Sequence, residues 1–301
     1  MTAESTLRAD IVEVGRRMYA RGYTASNDGN ISLRLGADRL LMTPKGVCKG
    51  FMTPDMMCIT DLEGKKLQGD RDPSSEMLMH LEVYRQRSDV QAVVHAHPPT
   101  ATGFAVAGIP LTRAVLAEVL ATLGGIPIAE YATPSTQELP AAVRKYIKAH
   151  DGMLLANHGA LTVGSDVYAA YYKMETIEHF ARISLVARLL GRENLISREE
   201  VKRLQDLRGN YGIKAPAPIC LDDAAADACQ VVEAPPGDGQ RLIPGEVDGR
   251  ARRPQRAGAA PREQERAGGG APASDVSEDQ EIRLTYRELS ALIEEAVRSL
   301  R

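Results

Sequence analysis

Apolar and polar residues alternate at regular spacings through residues 1–214. Helical spacing, as at Leu7, Ile11 and Val14, predicts a first helix over residues 5–21. The same spacing predicts further helices over residues 76–87, 113–123, 139–148 and 166–190. Strand-like runs predict strands over residues 31–35, 40–42, 90–97, 126–131 and 153–156. Strands that alternate with helices favour a layered α/β domain.

The pattern changes at Ala215. Of the 66 residues from 215 to 280, 16 are Gly or Pro, 14 are Ala and none is aromatic. A segment of this composition buries too little apolar surface to offset the entropy lost on ordering it. We therefore predict a disordered linker over residues 215–280.

A short amphipathic helix is predicted beyond the linker, within residues 281–301. Thr285 and Glu288 match a capping box. One face of this helix carries the apolar residues Leu289, Leu292, Ile293, Ala296, Val297 and Leu300. Because an isolated helix of this length is marginal in water, the apolar stripe requires a partner surface. The pattern leaves two partners open, namely the chain's own domain or oligomer and a separate protein.

The composition argues against several classes of function. A net charge of −3 gives no electrostatic reason to bind nucleic acid or an anionic membrane. No apolar run reaches the length of a membrane span, and residues 1–5 do not resemble a signal peptide. The four cysteines, Cys48, Cys58, Cys220 and Cys229, show no CxxC spacing, which predicts a reducing, cytoplasmic location.

Three histidines are the first candidates for chemistry. His95 and His97 lie two residues apart, so a strand projects both side chains from one face. His158, beside Gly159, follows another predicted strand, and Glu76 opens a predicted helix. Imidazole is a common ligand of zinc and other transition metals. Three histidines would leave an open position for substrate, which is typical of a catalytic zinc site.

Histidines also have ordinary structural roles. A His-x-His pair occurs as exposed or core residues in many proteins, so the pair alone is a weak sign of a metal. We place the other three histidines, His80, His150 and His179, on helices and interpret them as surface or core residues.

Several turns carry groups that can bind an anion. Backbone N–H groups in turns and at a helix N-terminus favour phosphate, although Gly and Ser usually serve only the turn. Ser74 or Ser75 is also the predicted N-cap of the helix over residues 76–87. The candidate residues are Gly29, Asn30, Lys45, Gly46, Ser74 and Ser75.

Five segments together resemble the class II aldolase and adducin family. They are Gly29-Asn30-Ile31-Ser32, Thr43-Pro44-Lys45-Gly46, Pro73-Ser74-Ser75-Glu76, His95-Ala96-His97-Pro98 and Asn157-His158-Gly159. The resemblance covers residues 1–214 and is greatest to the members that cleave L-fuculose 1-phosphate. It implies a three-layer α/β/α sandwich with a mixed, largely antiparallel sheet. It also implies a homotetramer with active sites between subunits.

The resemblance assigns roles position by position. His95, His97 and His158 would bind Zn²⁺, and Glu76 would be the catalytic acid/base that also reaches the metal. The six turn residues would line a phosphate site. Zn²⁺ would act as a Lewis acid on the charge left when the C3–C4 bond breaks, while the carboxylate moves the proton. The implied reaction converts a deoxyketose 1-phosphate of the L-fuculose or L-rhamnulose type to dihydroxyacetone phosphate and L-lactaldehyde.

The sequence departs from the family around the aldehyde half of the pocket. The family's tyrosine from a neighbouring subunit has no counterpart in residues 111–125, and Pro134 replaces an aromatic residue. Tyr211 is the candidate for a C-terminal tyrosine that borders the family's site. Because the metal motif is shared across reactions, a sugar-phosphate 4-epimerase or dehydratase is the alternative, followed by a non-catalytic adducin-like scaffold.

The tail resembles the encapsulation peptides of enzymes packaged in bacterial microcompartments. In this interpretation residues 281–301 bind a shell protein and retain the enzyme in the compartment lumen, where a reactive aldehyde product is confined. A self-association helix is the simpler alternative.

Overall fold

A computed structural model describes residues 3–211, 213, 215, 229–230 and 245–246 of the chain. Its α-helices are α1 (Ala3–Ala20), α2 (Met77–Gln86), α3 (Pro99–Ala107), α4 (Ala117–Thr122), α5 (Glu138–Ile147), α6 (Val167–Leu189) and α7 (Arg198–Leu207). Its strands are β1 (Asn30–Leu35), β2 (Arg39–Met42), β3 (Cys58–Asp61), β4 (Lys66–Gln68), β5 (Ala92–Ala96), β6 (Ile128–Ala129), β7 (Gly152–Leu155), β8 (Gly159–Gly164), β9 (Cys229–Gln230) and β10 (Gly245–Glu246). Short 3-10 helices span Lys49–Phe51, Pro54–Met56 and Arg208–Tyr211.

The first eight strands form one sheet in the order β4-β3-β2-β1-β5-β8-β7-β6. Every neighbouring pair is antiparallel except β6 and β7, which are parallel. The central strand β5 pairs with β1 on one side and β8 on the other. The sheet is therefore mixed and largely antiparallel, as the sequence predicts.

Helices cover both faces of this sheet. Even-numbered residues of β5, such as Val94, pack into a core with α1, α3 and α6. Val93 instead packs into a second core with α2 and α5. Burying each such side chain contributes about 1.5–3 kcal/mol, so the period-two pattern of β5 fixes which side chains face which helices. The three-layer α/β/α prediction is confirmed.

Some predicted elements differ from those observed. The predicted helix over residues 113–123 begins only at Ala117, because Leu116 has extended backbone angles. The predicted N-cap of α2 was wrong, since Glu76 occupies that position and Ser74 Oγ accepts from its backbone N–H. His150 lies beyond α5 rather than on a helix. Strand β8 was missed because it is buried throughout and shows no alternation of polarity.

The tail contributes little to the described structure. Strands β9 and β10 pair antiparallel within the segment predicted as a linker. The rest of that linker and the predicted helix over residues 281–301 lie outside the described residues. Among the helices that are described, none is both long and apolar enough to cross a membrane.

Candidate active site

The three candidate histidines meet beside the centre of the sheet. His95 lies on β5, His97 follows that strand, and His158 lies in the turn between β7 and β8. Their ring centroids are 4.7–5.2 Å apart. Asn157 adopts a left-handed backbone angle (φ 55°) in the same turn, which Asn tolerates better than most residues. The sequence prediction that these rings converge agrees with the structure.

Two glycines allow the backbone to approach this closely. A Cβ atom on Gly159 would lie 2.5 Å from the Ala96 carbonyl oxygen and 2.6 Å from the His97 ring. A Cβ atom on Gly29 would lie 2.8 Å from the His95 carbonyl oxygen, and its φ of +70° also favours glycine. The two glycines therefore set the distances between the loops that carry the site.

The proton positions on His95 and His97 favour a bound cation. His95 Nδ1 lies 2.9 Å from the carbonyl oxygen of Ala160, which can only accept, so Nδ1 carries the proton. His97 Nδ1 faces Asp28 Oδ2 at 3.3 Å and is protonated for the same reason. The two Nε2 atoms, 3.1 Å apart, then direct lone pairs at each other. This arrangement is unfavourable unless a cation lies between them, so the residues fit a metal ion.

Glu76 completes the cluster from the N-cap of α2. Its Oε1 lies 3.0 Å from His158 Nε2, and its Oε2 lies 3.3 Å from His95 Nε2. Oε2 also accepts a 2.7 Å hydrogen bond from Asn30 Nδ2. The carboxylate is therefore positioned to bind the same cation or to exchange a proton with a substrate held there.

Burial and charge set the ionisation of these groups. Burial lowers the pKa of His95 and of His97, so both imidazoles are neutral ligands near pH 7. Burial opposes ionisation of Glu76, but the hydrogen bonds from His158 and from the Asn30 amide favour the carboxylate, and the pKa of this carboxyl lies well below its ordinary value. Neutral imidazoles beside a carboxylate are a donor set that suits zinc and similar transition metals.

The candidate phosphate residues line one cavity with the histidine cluster. The turn over residues 43–46 is tied to the start of α2, since Ser74 donates its backbone N–H to the Thr43 carbonyl and Lys45 donates to Asp72. The cavity has a volume of about 280 Å³. Its lining includes all six predicted turn residues together with Glu76, His97 and His158.

Three further polar residues at this site were missed from the sequence. Asp28 contacts His97, as described above. Lys49 is buried in the cavity wall, where its Nζ donates to the carbonyl oxygens of Asn27 (3.1 Å) and Val47 (2.6 Å). Burial lowers its pKa to about 8, which leaves it charged near pH 7. His80 bonds the Asn30 amide oxygen, and its position one helical turn after Glu76 was the available signal.

The predicted aldehyde side of the site is described only in part. Pro134 and Ser135 line the cavity. The backbone of Tyr211 ends the last 3-10 helix, and its side chain lies outside the described structure. The assignment of Tyr211 therefore stays a prediction.

A second, larger cavity has a different character. It has a volume of about 760 Å³ and contains neither Glu76 nor any of the three clustered histidines. Two ion pairs lie in its wall, Arg21 with Glu175 and Arg182 with Glu178. The smaller cavity is the candidate active site because Glu76, His97 and His158 line it.

Comparison with known proteins agrees with the family resemblance seen in the sequence. Residues 9–185 match the family model described as the class II aldolase and adducin N-terminal domain. An L-fuculose phosphate aldolase of Methanococcus maripaludis is 33% identical over 177 residues, covering 59% of this chain and 95% of the relative. A 3-oxo-tetronate 4-phosphate decarboxylase of Pectobacterium atrosepticum is 30% identical over 190 residues, covering 62% and 87%. A solved L-fuculose 1-phosphate aldolase superposes with a TM-score of 0.65 at 27% identity, covering 71% of this chain and 98% of that one.

Proposed function

Because the chain belongs to the class II aldolase and adducin family and is a lyase of the aldolase type, we propose that it cleaves a deoxyketose 1-phosphate of the L-fuculose or L-rhamnulose type. The products would be dihydroxyacetone phosphate and L-lactaldehyde. The observation that supports this best is one cavity in which Glu76 and two members of the three-histidine cluster, His97 and His158, lie beside the candidate anion-binding turns.

In this proposal the turns hold the phosphate group. The hydroxyl groups of Ser74 and Ser75 and the backbone N–H groups at the start of α2 favour an anion. Lys45 and Lys49 add positive charge to the same cavity. Phosphate bound there orients the sugar so that its C3–C4 bond lies beside Glu76.

Glu76 acts on the proton in this proposal. As the C3–C4 bond breaks, the carboxylate accepts the proton of the C4 hydroxyl, which becomes the aldehyde, and returns it to C3 of the other fragment. We propose Zn²⁺ as the metal, held by His95, His97 and His158. When bound, it supplies Lewis-acid stabilisation of the negative charge left on the ketone fragment.

Three further parts of the proposal rest on resemblance, the first two on that to the aldolase family and the third on that of the tail to encapsulation peptides. Tyr211 is a catalytic residue that borders the aldehyde side of the site. The chain forms a homotetramer with active sites between subunits. Residues 281–301 bind a microcompartment shell protein and retain the enzyme in the compartment lumen.

The reaction is tested by measuring release of dihydroxyacetone phosphate from L-fuculose 1-phosphate and L-rhamnulose 1-phosphate. We expect release from at least one sugar, loss of release after treatment with a chelator, and recovery with Zn²⁺. Glu76→Gln should abolish release while the protein still binds metal. Absence of release from zinc-loaded protein would contradict the aldolase proposal and leave the epimerase and dehydratase reactions to be tested on the same sugars.

Decarboxylation is a second candidate, because relatives with that name match this chain at 30% identity. The same metal and phosphate sites could stabilise the negative charge left when a 3-oxo acid phosphate loses carbon dioxide. Release of carbon dioxide from 3-oxo-tetronate 4-phosphate, by a protein that releases no dihydroxyacetone phosphate from L-fuculose 1-phosphate or L-rhamnulose 1-phosphate, would favour this alternative.

A further inference from the structure

A chain of buried hydrogen bonds runs from Glu76 into the core between β1 and α2. Glu76 Oε2 accepts from Asn30 Nδ2, and Asn30 Oδ1 lies 2.5 Å from His80 Nε2. His80 Nδ1 lies 2.7 Å from Ser32 Oγ, which lies 2.9 Å from the Tyr84 hydroxyl. Asn30, Ser32, His80 and Tyr84 are each at most 4% exposed. The chain thus connects the candidate catalytic carboxylate to four buried polar side chains.

The orientation of the Asn30 amide fixes the direction of the bonds in this network. Asn30 Nδ2 donates to Glu76, so Asn30 presents its Oδ1, which only accepts, to His80. His80 Nε2 must then carry the proton, and Nδ1 accepts from the Ser32 hydroxyl. Ser32 Oγ in turn accepts from Tyr84. Burial lowers the pKa of His80 to about 4, so the ring is neutral and only one tautomer satisfies both contacts.

We propose that His80 is a positioning residue that acts through Asn30 to hold the Glu76 carboxylate between His95 and His158. The inference rests on the proposed role of Glu76. It also gives Asn30 a second role beside the proposed phosphate contact, because its Nδ2 donates one hydrogen bond to Glu76 and its Oδ1 accepts one from His80. An apolar residue at position 80 would leave Asn30 Oδ1 buried without a donor, and the amide could then rotate away from Glu76.

The positions of these four residues on β1 and α2 bring their polar groups together within an otherwise apolar core. Asn30 and Ser32 project from the same face of β1, and His80 and Tyr84 lie one turn apart on α2. Two pairs of polar residues therefore interlock where the two elements meet. The surrounding side chains of that core, such as Leu81 and Val83, are apolar.

The test compares three variants with the wild-type protein. His80→Leu removes the donor to Asn30, and His80→Gln supplies an amide N–H in its place. Val83→Ala weakens the packing of α2 without removing any of the hydrogen-bonding side chains. Zn²⁺ affinity is measured by competition with a chromophoric chelator, and kcat and KM are measured on the substrate that the wild type accepts. Long-range ¹H–¹⁵N NMR spectra of the labelled wild-type protein report the tautomer of His80, assigned by comparison with His80→Gln.

We expect His80→Leu to lose about 10- to 100-fold in metal affinity and in kcat, the range typical of groups that orient ligands, with little change in KM. His80→Gln should recover most of both. Val83→Ala should lower Tm but leave metal affinity and kcat near the wild-type values. The NMR spectrum should show a neutral ring protonated at Nε2.

Three results would overturn the proposal. The first is metal affinity and kcat at wild-type values in His80→Leu. The second is a loss of metal affinity and kcat in Val83→Ala in proportion to its loss of stability. The third is a His80 ring protonated at Nδ1. If His80→Leu does not fold, the tautomer of the wild type still decides. If the wild type cleaves no sugar phosphate, metal affinity and the NMR spectrum test the positioning role separately from the proposed reaction.

Discussion

Asp28 illustrates how a single residue can tune the metal centre. Its carboxylate faces His97 Nδ1, and such outer contacts orient imidazole ligands and fix their tautomer. We expect Asp28→Asn to weaken Zn²⁺ affinity about tenfold, as measured by competition with a chelator. The control is Asp38→Asn in the exposed turn after β1. Equal affinity in the two variants would show that Asp28 does not support the metal.

Lys49 gives a second prediction for a single residue. Its buried Nζ holds the carbonyl groups of Asn27 and Val47, which belong to the two loops that line the cavity. Replacing it with Met removes a cation from the proposed phosphate site. We expect Lys49→Met to raise the inhibition constant of inorganic phosphate about tenfold, or about 1.4 kcal/mol. Lys65→Met, at an exposed turn, is the control and should leave that constant unchanged.

The lowered pKa of the buried His80 should make the stability of the fold depend on pH. Its pKa is about 4 in the folded chain and about 6.5 when unfolded, so between these values the unfolded chain binds more protons. The free energy of unfolding should therefore rise from pH 4 to pH 6.5, with His80 contributing on the order of 3 kcal/mol. Denaturant titrations with chelator present should show a shallower rise in His80→Gln. An identical slope in both proteins would contradict a buried neutral His80.

Strands β5 and β8 meet where Gly159 faces the carbonyl group of Ala96, with no room for a side chain. We expect Gly159→Ala to displace the neighbouring His158 and to lower bound zinc well below that of the wild type, as measured by atomic absorption. Gly103→Ala in α3 is the matched control, because its Cβ would enter open space. It should retain zinc and gain up to about 1 kcal/mol of stability.

Some contacts of the candidate site are predictable from the sequence, whereas others depend on how the elements pack. The convergence of His95 and His97 was predictable from their spacing on one strand, whereas the approach of His158 was implied by the family resemblance. The Asn30–His80 contact joins positions 50 residues apart, and its partners are known only once α2 lies on β1. Strand β8 escaped for a related reason, since burial on both faces removes the alternation that identifies a strand.

For the whole molecule, the described structure places the candidate active site within residues 3–211. Arg208 anchors the end of this region, donating to the carbonyl groups of Leu120 and Ala215. If residues 281–301 only locate the enzyme, their removal should leave the proposed reaction unchanged. If they belong to the catalytic domain, their removal should impair it.

Truncation tests these two outcomes directly. A chain ending at residue 220 keeps the contacts of Arg208, so we expect it to fold and to retain wild-type kcat, KM and bound zinc. Fusing residues 281–301 to a fluorescent protein should make the reporter co-localise with microcompartment shells, and the same fusion with Leu292→Glu should stay diffuse. Reporter aggregation without shells would favour self-association instead. Loss of activity on truncation, with zinc and fold intact, would show that the tail contributes to the active site and would contradict a purely locating role.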